Sequence, residues 1–119
     1  MLFRSGYVLP TYGQAGREHF GVVLLDVKHK VIRTVLVAVG TLNTTVVEPR
    51  DVFREALLGG AAAVIAFHNH PSGDPTPSPE DRALTRRLAA AGTLVGVALA
   101  DHLILGDGCY WSFRDRGWL

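Results

Sequence analysis

An α/β domain built around one mixed sheet is the fold class this sequence predicts, and three observations carry it. Runs rich in β-branched residues stand before and after each helix-like stretch, so strands and helices alternate along the chain. The two helix-like stretches are punctuated, with Pro49 and Pro79 at their starts and Gly59-Gly60 and Gly92 at their ends. A length of 119 residues, 48% of them hydrophobic and 19% charged, suits a single globular domain over residues 1–119 with one core.

The elements follow in order. Residues 19–25 are apolar and β-rich, 26–30 form a charged turn, and 31–39 are a second β-branched run, which together read as an antiparallel hairpin. Gly40 breaks that run, and residues 41–47 pass from polar to β-branched. Pro49 opens a helix that reaches Leu58. Residues 61–67 are a short apolar run of the kind that forms a buried strand. Ser78-Pro79-Glu80-Asp81 is a helix start, with a serine N-cap, proline at the first helical position and an acid at the third. That helix is expected to run to about Ala91 and to be closed by Gly92. Residues 94–100, 102–105 and 109–113 are three further strand candidates, the last two joined by the turn Gly106-Asp107-Gly108. No repeat or low-complexity tract interrupts the pattern.

Composition removes several function classes. The net charge is +1 without a basic run, which disfavours autonomous nucleic-acid binding, because phosphate neutralisation needs clustered Lys and Arg. Arg82, Arg86 and Arg87 share one predicted helix and read as a solvated face. Cys109 is the only cysteine, so there is no intramolecular disulfide and no paired-cysteine metal knuckle; it is taken as a small apolar residue. The first residues, MLFRSGYVLPTYGQ, lack an apolar signal core, and no apolar run reaches a membrane-spanning length. A cytoplasmic, soluble protein is the expectation.

The informative stretch is FHNHPSGDPTPSPED, residues 67–81. His68 and His70 fall where a buried strand emerges, and residues two apart on extended backbone point to the same side. Asp81 lies in the first turn of the next helix, from which its carboxylate can turn back toward the strand end. Two imidazoles and one carboxylate are a three-ligand set that leaves a position for water, the pattern of a catalytic zinc site. The prolines and Gly73 stiffen the loop between them, which lowers the entropy cost of assembling the ligands. Each part has a plain alternative: paired histidines are common on surfaces, an acid near a helix start is favoured by the macrodipole, and Ser78 is a helix cap. The full spacing is far more restrictive than its parts.

His68-Asn69-His70-Pro71 followed by Ser78 and Asp81 resembles the JAMM signature of the MPN-domain metalloproteases. Three segments, GTLNTTVVEPRDVFREAL (40–57), AAAVIAFHNHPSGDPTPSPED (61–81) and DHLILGDGCYWSF (101–113), extend the resemblance to the bacterial RadC branch over about residues 18–113. The resemblance implies a curved mixed sheet flanked by helices, similar to the cytidine-deaminase fold. It also implies a catalytic domain without the N-terminal helix-hairpin-helix region of many relatives. It assigns one zinc ion per chain to His68, His70 and Asp81, the general base to Glu18, and oxyanion stabilisation to Ser78. Glu48 and Glu55 are competitors for the base, and iron or manganese compete for the metal.

The implied activity is zinc-dependent hydrolysis of peptide or isopeptide bonds, with a peptide or protein as substrate. A DNA repair or recombination accessory acting on nucleic acid is the alternative. A metal-free scaffold is the third reading, disfavoured because every ligand position is filled. The open edge of residues 31–39 leaves pairing between chains, and so a homodimer, as a further expectation. Among the remaining residues, Asp101 or His102 could orient a ligand from behind, although a satisfied histidine in the sheet is as good a reading. His19 and His29 read as strand-edge and turn residues. Asp74 reads as a turn residue bonding its own backbone, and Trp111, Phe113 and Trp118 as core and tail packing.

Overall fold

The computed structural model describes residues 8, 12, 13, 16–40 and 47–119. Among them are five strands and two helices in the order β1 (Glu18–Leu25), β2 (Val31–Gly40), α1 (Pro49–Leu58), β3 (Ala63–Asn69), α2 (Pro79–Val95), β4 (Ala98–Leu105) and β5 (Tyr110–Ser112). Residues 41–46, read from the sequence as passing from polar to β-branched, lie outside the described residues. The sheet order is β2-β1-β3-β4-β5. Every neighbouring pair is antiparallel except β3 and β4, which are parallel and joined by α2 as the crossover. The predicted α/β class and mixed sheet are the observed ones.

The β1–β2 hairpin turns where expected. Asp26 accepts the amides of Lys28 and Lys30 at 2.8 and 2.9 Å, and His29 takes the left-handed backbone at φ 62°. Alternation along the central strands then divides the core. Phe20, Val22, Leu24, Val64 and Ala66 face Val52, Phe53 and Ala56 of α1 and Leu88 of α2. Val23, Leu25, Ala63, Ile65 and Phe67 face the other way, with Val8 against them. Both described helices therefore cover the same face. Central strands buried on both faces read as continuous apolar runs, which is how VVLL and AVIAF look in sequence.

The structure corrects the end of the second helix. α2 continues past Gly92 to Val95 and closes at Gly96, which is left-handed at φ 79°. Gly92 is buried inside the helix, where a Cβ would overlap the Val97 carbonyl oxygen and press on the Phe53 ring at 3.2 Å. Its glycine serves close packing rather than termination. Residues 94 and 95 are consequently helical, and the two strand candidates on either side of residue 101 merge into β4. Cys109, expected to behave as an apolar residue, is exposed.

β4 carries the irregularity that matters most for the site. Its pairing with β3 slips by one residue at Ala100: Val64 pairs with Leu99, but Ile65 pairs with Asp101. A bulge of one residue reverses the alternation beyond it. Leu99 faces the helices, as does His102 three residues later, where strict alternation would have put them on opposite faces. Asp101, beside the bulge, accepts from the His102 amide at 2.7 Å, the Ser112 hydroxyl at 2.6 Å and the Arg114 amide at 3.0 Å. It braces β4 against β5 and the turn that follows, so of the two residues weighed as ligand orienters only His102 faces the site.

Candidate metal centre

β3 ends at Asn69, and the chain then passes over the turn between β4 and β5. The His70 amide donates to the Leu105 carbonyl at 2.8 Å, and the Asp107 amide donates to the Gly73 carbonyl at 3.0 Å. Gly73 sits at φ 91° and Gly106 packs so closely on its carbonyl that no Cβ would fit there. The loop returns to α2 through Ser78, whose hydroxyl caps the helix by accepting the Asp81 amide at 3.1 Å. In exchange the Asp81 carboxylate accepts the Ser78 amide at 2.8 Å. This reciprocal cap fixes the Asp81 side chain against the strand end, as the sequence spacing required.

Asp81 Oδ1 lies 3.1 Å from His68 Nε2, and Asp81 Oδ2 lies 3.1 Å from His70 Nε2. The three side chains offer ligand atoms that all lie within 4.8 Å of one another. Which nitrogens carry protons follows from the partners behind the rings. His70 Nδ1 is 2.9 Å from the Asp74 carbonyl oxygen; a carbonyl can only accept, so Nδ1 carries the proton. Nε2 faces Asp81 Oδ2 at hydrogen-bond distance, donating to it when the ring is protonated and offering a lone pair toward the cleft when the ring is neutral. His68 Nε2 is buried and, although close to Asp81, is not aligned for a hydrogen bond with any group among the described residues. Two imidazole nitrogens and a carboxylate converging in this way form a group that could hold a metal ion in place of the proton, and the donor set suits a metal with bonds of about 2 Å.

The electrostatics agree. Burial would raise the Asp81 pKa, but the adjacent His68 and His70 rings and the Ser78 amide hold it well below the usual carboxylate range. The Asp81 contact raises His70 above its ordinary value, against a smaller opposing effect of burial. Glu18 is raised chiefly by burial, with His68 and His70 pulling it down and Asp81 adding to the rise. His102 is held well below the usual histidine range by complete burial, with the charge of His68 adding to the effect.

Glu18, Ser78, His68, His70 and Asp81 line one cleft of about 850 Å³, together with Phe20, Leu84 and Glu48. Every site residue expected from the sequence is thus brought to one place. Of the competing acids, Glu48 lines the same cleft but pairs with Arg87 at 2.9 Å on its rim, and Glu55 lies 3.9 Å from Arg33. Arg87 is therefore paired, and Arg82 lies 3.6 Å over the Trp118 ring, where a wholly solvated arginine face was expected. Asp74 behaves as the turn residue it was read to be, binding the Thr76 amide and hydroxyl at 3.0 and 2.7 Å.

Two supporting groups escaped the sequence reading. Asn69 is fully buried between the two histidines, pointing to the opposite side. Its carboxamide accepts the His19 amide at 2.6 Å and donates to the Arg17 carbonyl at 2.7 Å. It thereby clamps the backbone on both sides of Glu18. Thr85 stands one helical turn beyond Asp81 and its hydroxyl lies 2.6 Å from His102 Nδ1. The i, i+4 spacing from Asp81 was the only signal for Thr85 in the sequence.

Comparison with known proteins is consistent with this arrangement. Residues 5–118 match the family model described as RadC-like JAB domain. A UPF0758 protein of Pelobacter propionicus is 56% identical over 101 residues, which cover 85% of this chain and 44% of that protein. A UPF0758 protein of Symbiobacterium thermophilum is 50% identical over 113 residues, covering 95% of this chain and 48% of its own length. One from Listeria monocytogenes is 48% identical over 111 residues, covering 93% and 50%. The chain spans about half the length of these curated relatives. No helix among the described residues is long and apolar enough to cross a membrane.

Proposed function

Since this chain belongs to the family of the RadC-like JAB domain, we propose that it is a zinc-dependent hydrolase of peptide or isopeptide bonds. The observation that carries the reading is the convergence of His68 Nε2, His70 Nε2 and the two Asp81 oxygens at 3.1 Å separations. One zinc ion per chain would be held by these three residues. When bound, zinc lowers the pKa of water toward neutrality and polarises a carbonyl oxygen.

The remaining work falls to the chain itself. Glu18 accepts a proton from the attacking water and passes it to the leaving nitrogen. Its raised pKa suits both halves of that task, because a carboxylate that binds protons more tightly is a better base and still releases the proton to an amine. Ser78 is suited to stabilise the developing oxyanion. Its cap uses a lone pair to accept the Asp81 amide, which leaves the hydroxyl proton to donate into the cleft. Capping and oxyanion binding therefore draw on different atoms of one side chain.

A peptide is favoured over a nucleic acid by the charge of the cleft. Glu18, Glu48, Glu80 and Asp81 line it against Arg87 alone among the described arginines and lysines, and Arg87 is tied to Glu48. A polyanion finds little to neutralise it there. The test is incubation of the zinc-loaded chain with a peptide mixture and, separately, with single- and double-stranded DNA. Peptide cleavage that disappears in Glu18→Gln with zinc still bound is expected. DNA cleavage without peptide cleavage would overturn the choice of substrate, and activity undiminished in Glu18→Gln would overturn the choice of base.

A further inference from the structure

We propose that Thr85 and His102 are positioning residues that fix the proton on the far side of His68 and so present its Nε2 lone pair to the metal. This rests on reading His68, His70 and Asp81 as a metal site. It adds two residues, from α2 and β4, that belong to neither the ligand set nor the catalytic pair.

The inference comes from counting protons along one chain of contacts. The Thr85 hydroxyl lies 2.7 Å from the Asp81 carbonyl oxygen and 2.6 Å from His102 Nδ1. A hydroxyl has one proton to give, and the carbonyl can only accept it. Were the proton directed at His102 instead, two bare oxygens would face each other at 2.7 Å. The hydroxyl therefore donates to the carbonyl and accepts from His102, which places a proton on His102 Nδ1. His102 has no exposed surface and stacks on Phe113, an environment that keeps the ring neutral. Its Nε2 is then bare.

That bare nitrogen lies 2.9 Å from His68 Nδ1, so His68 must supply the proton of this hydrogen bond. With the Nδ1 proton committed backward, the Nε2 lone pair faces Asp81 and the cleft. One orientation propagates from a main-chain carbonyl of α2, through a hydroxyl and a buried imidazole of β4, to a ligand on β3. The origin of the chain is the carbonyl of Asp81, itself a ligand, so the same residue supplies an oxygen to the site and anchors the aim of its neighbour. The bulge at Ala100 makes this chain of contacts possible, because it is what turns His102 toward the helices.

The test avoids removing the buried His102, which risks unfolding the core. Thr85→Val keeps the shape and removes the hydroxyl, and Thr85→Ser keeps the hydroxyl. Zinc affinity is measured by chelator competition at neutral pH, and histidine tautomers by 15N NMR of the labelled parent. We expect Thr85→Val to weaken zinc binding by about 10–100-fold, the range for residues that orient ligands from behind. Thr85→Ser should bind as the parent does. His102 should carry its proton on Nδ1, with a 15N–15N coupling across the hydrogen bond from His68 Nδ1 to His102 Nε2. A folded Thr85→Val with parental affinity, or a proton on His102 Nε2, would overturn the proposal. A parent that binds no zinc at all would instead overturn the metal-site reading on which it rests.

Discussion

His68 and His70 are separated by one residue, yet the structure aims them by opposite means. His70 stands on the loop, is partly exposed, and takes its orientation from the Asp74 carbonyl four residues away, at 2.9 Å. His68 is 1% exposed and takes its orientation from His102, 34 residues away on a neighbouring strand. The ring of His70 finds its partners, Asp74 and Asp81, within a stretch of a dozen residues whose prolines and glycine limit its conformations. The backbone of that stretch is itself tied to the turn between β4 and β5. The ring of His68 finds its partner only once β3, β4 and α2 are packed. A site assembled in this way orients one candidate ligand through the packed core and the other mainly through a stiff loop.

Asp81 joins the two sides, so its removal breaks both. Asp81→Ala should abolish zinc binding, measured as metal per chain after purification in the presence of zinc. It should also lower the stability of the metal-free protein by about 1 kcal/mol through loss of the reciprocal cap, read from denaturant midpoints. Zinc retained near one per chain would mean that the histidines bind metal without the carboxylate.

Glu18 lies in the same cleft but outside both orienting devices, held from behind by Asn69. Glu18→Gln should reduce hydrolysis by about 10²–10⁴-fold and leave zinc content unchanged. Loss of zinc in this variant would place Glu18 among the ligands and remove the distinction between base and site.

The two sides also imply a reversal of pH dependence. In the metal-free protein the raised His70 pKa stabilises the fold below the ordinary value of 6.5. That contribution disappears as pH rises through the folded-state value. Asp81, shifted the other way, stabilises above its ordinary 3.8 and loses this only in strong acid. The metal-free protein should therefore lose this contribution as pH rises above 6.5, as thermal midpoints would report. Zinc competes with the proton on His70, so zinc affinity should rise over the same interval. Affinity that falls with pH there would contradict the assignment of His70.

The smallest effect is expected at Asp74. His70 uses the main-chain carbonyl of this residue, and the side chain bonds to Thr76. Asp74→Ala should change zinc affinity by no more than about twofold, the scale of surface substitutions. A loss comparable to that of Thr85→Val would show that the loop is less self-sufficient than its short-range contacts imply.

The contrast between the two sides also explains what could be read before the structure. His70, Ser78 and Asp81 were legible because a strand end, a helix cap and a fixed spacing are local properties. The alternating elements and the mixed sheet followed from periodicity and from paired proline and glycine signals. Thr85 and Asn69 were not legible, since their roles depend on which strand lies beside which. His102 could be suspected but not oriented, because the bulge that turns it toward α2 leaves no mark in the pattern of residues 98–105. Gly92 misled for a related reason: glycine is used both to end helices and to admit close neighbours, and only the packed Val97 carbonyl distinguishes the two.

The most direct measurement is the zinc content of the purified chain after equilibration with zinc at neutral pH, beside His70→Ala treated identically. Near one zinc per chain in the parent and near none in the variant is the expected result. A parent that remains metal-free, or a variant that holds as much zinc as the parent, would contradict a metal centre built on His68, His70 and Asp81.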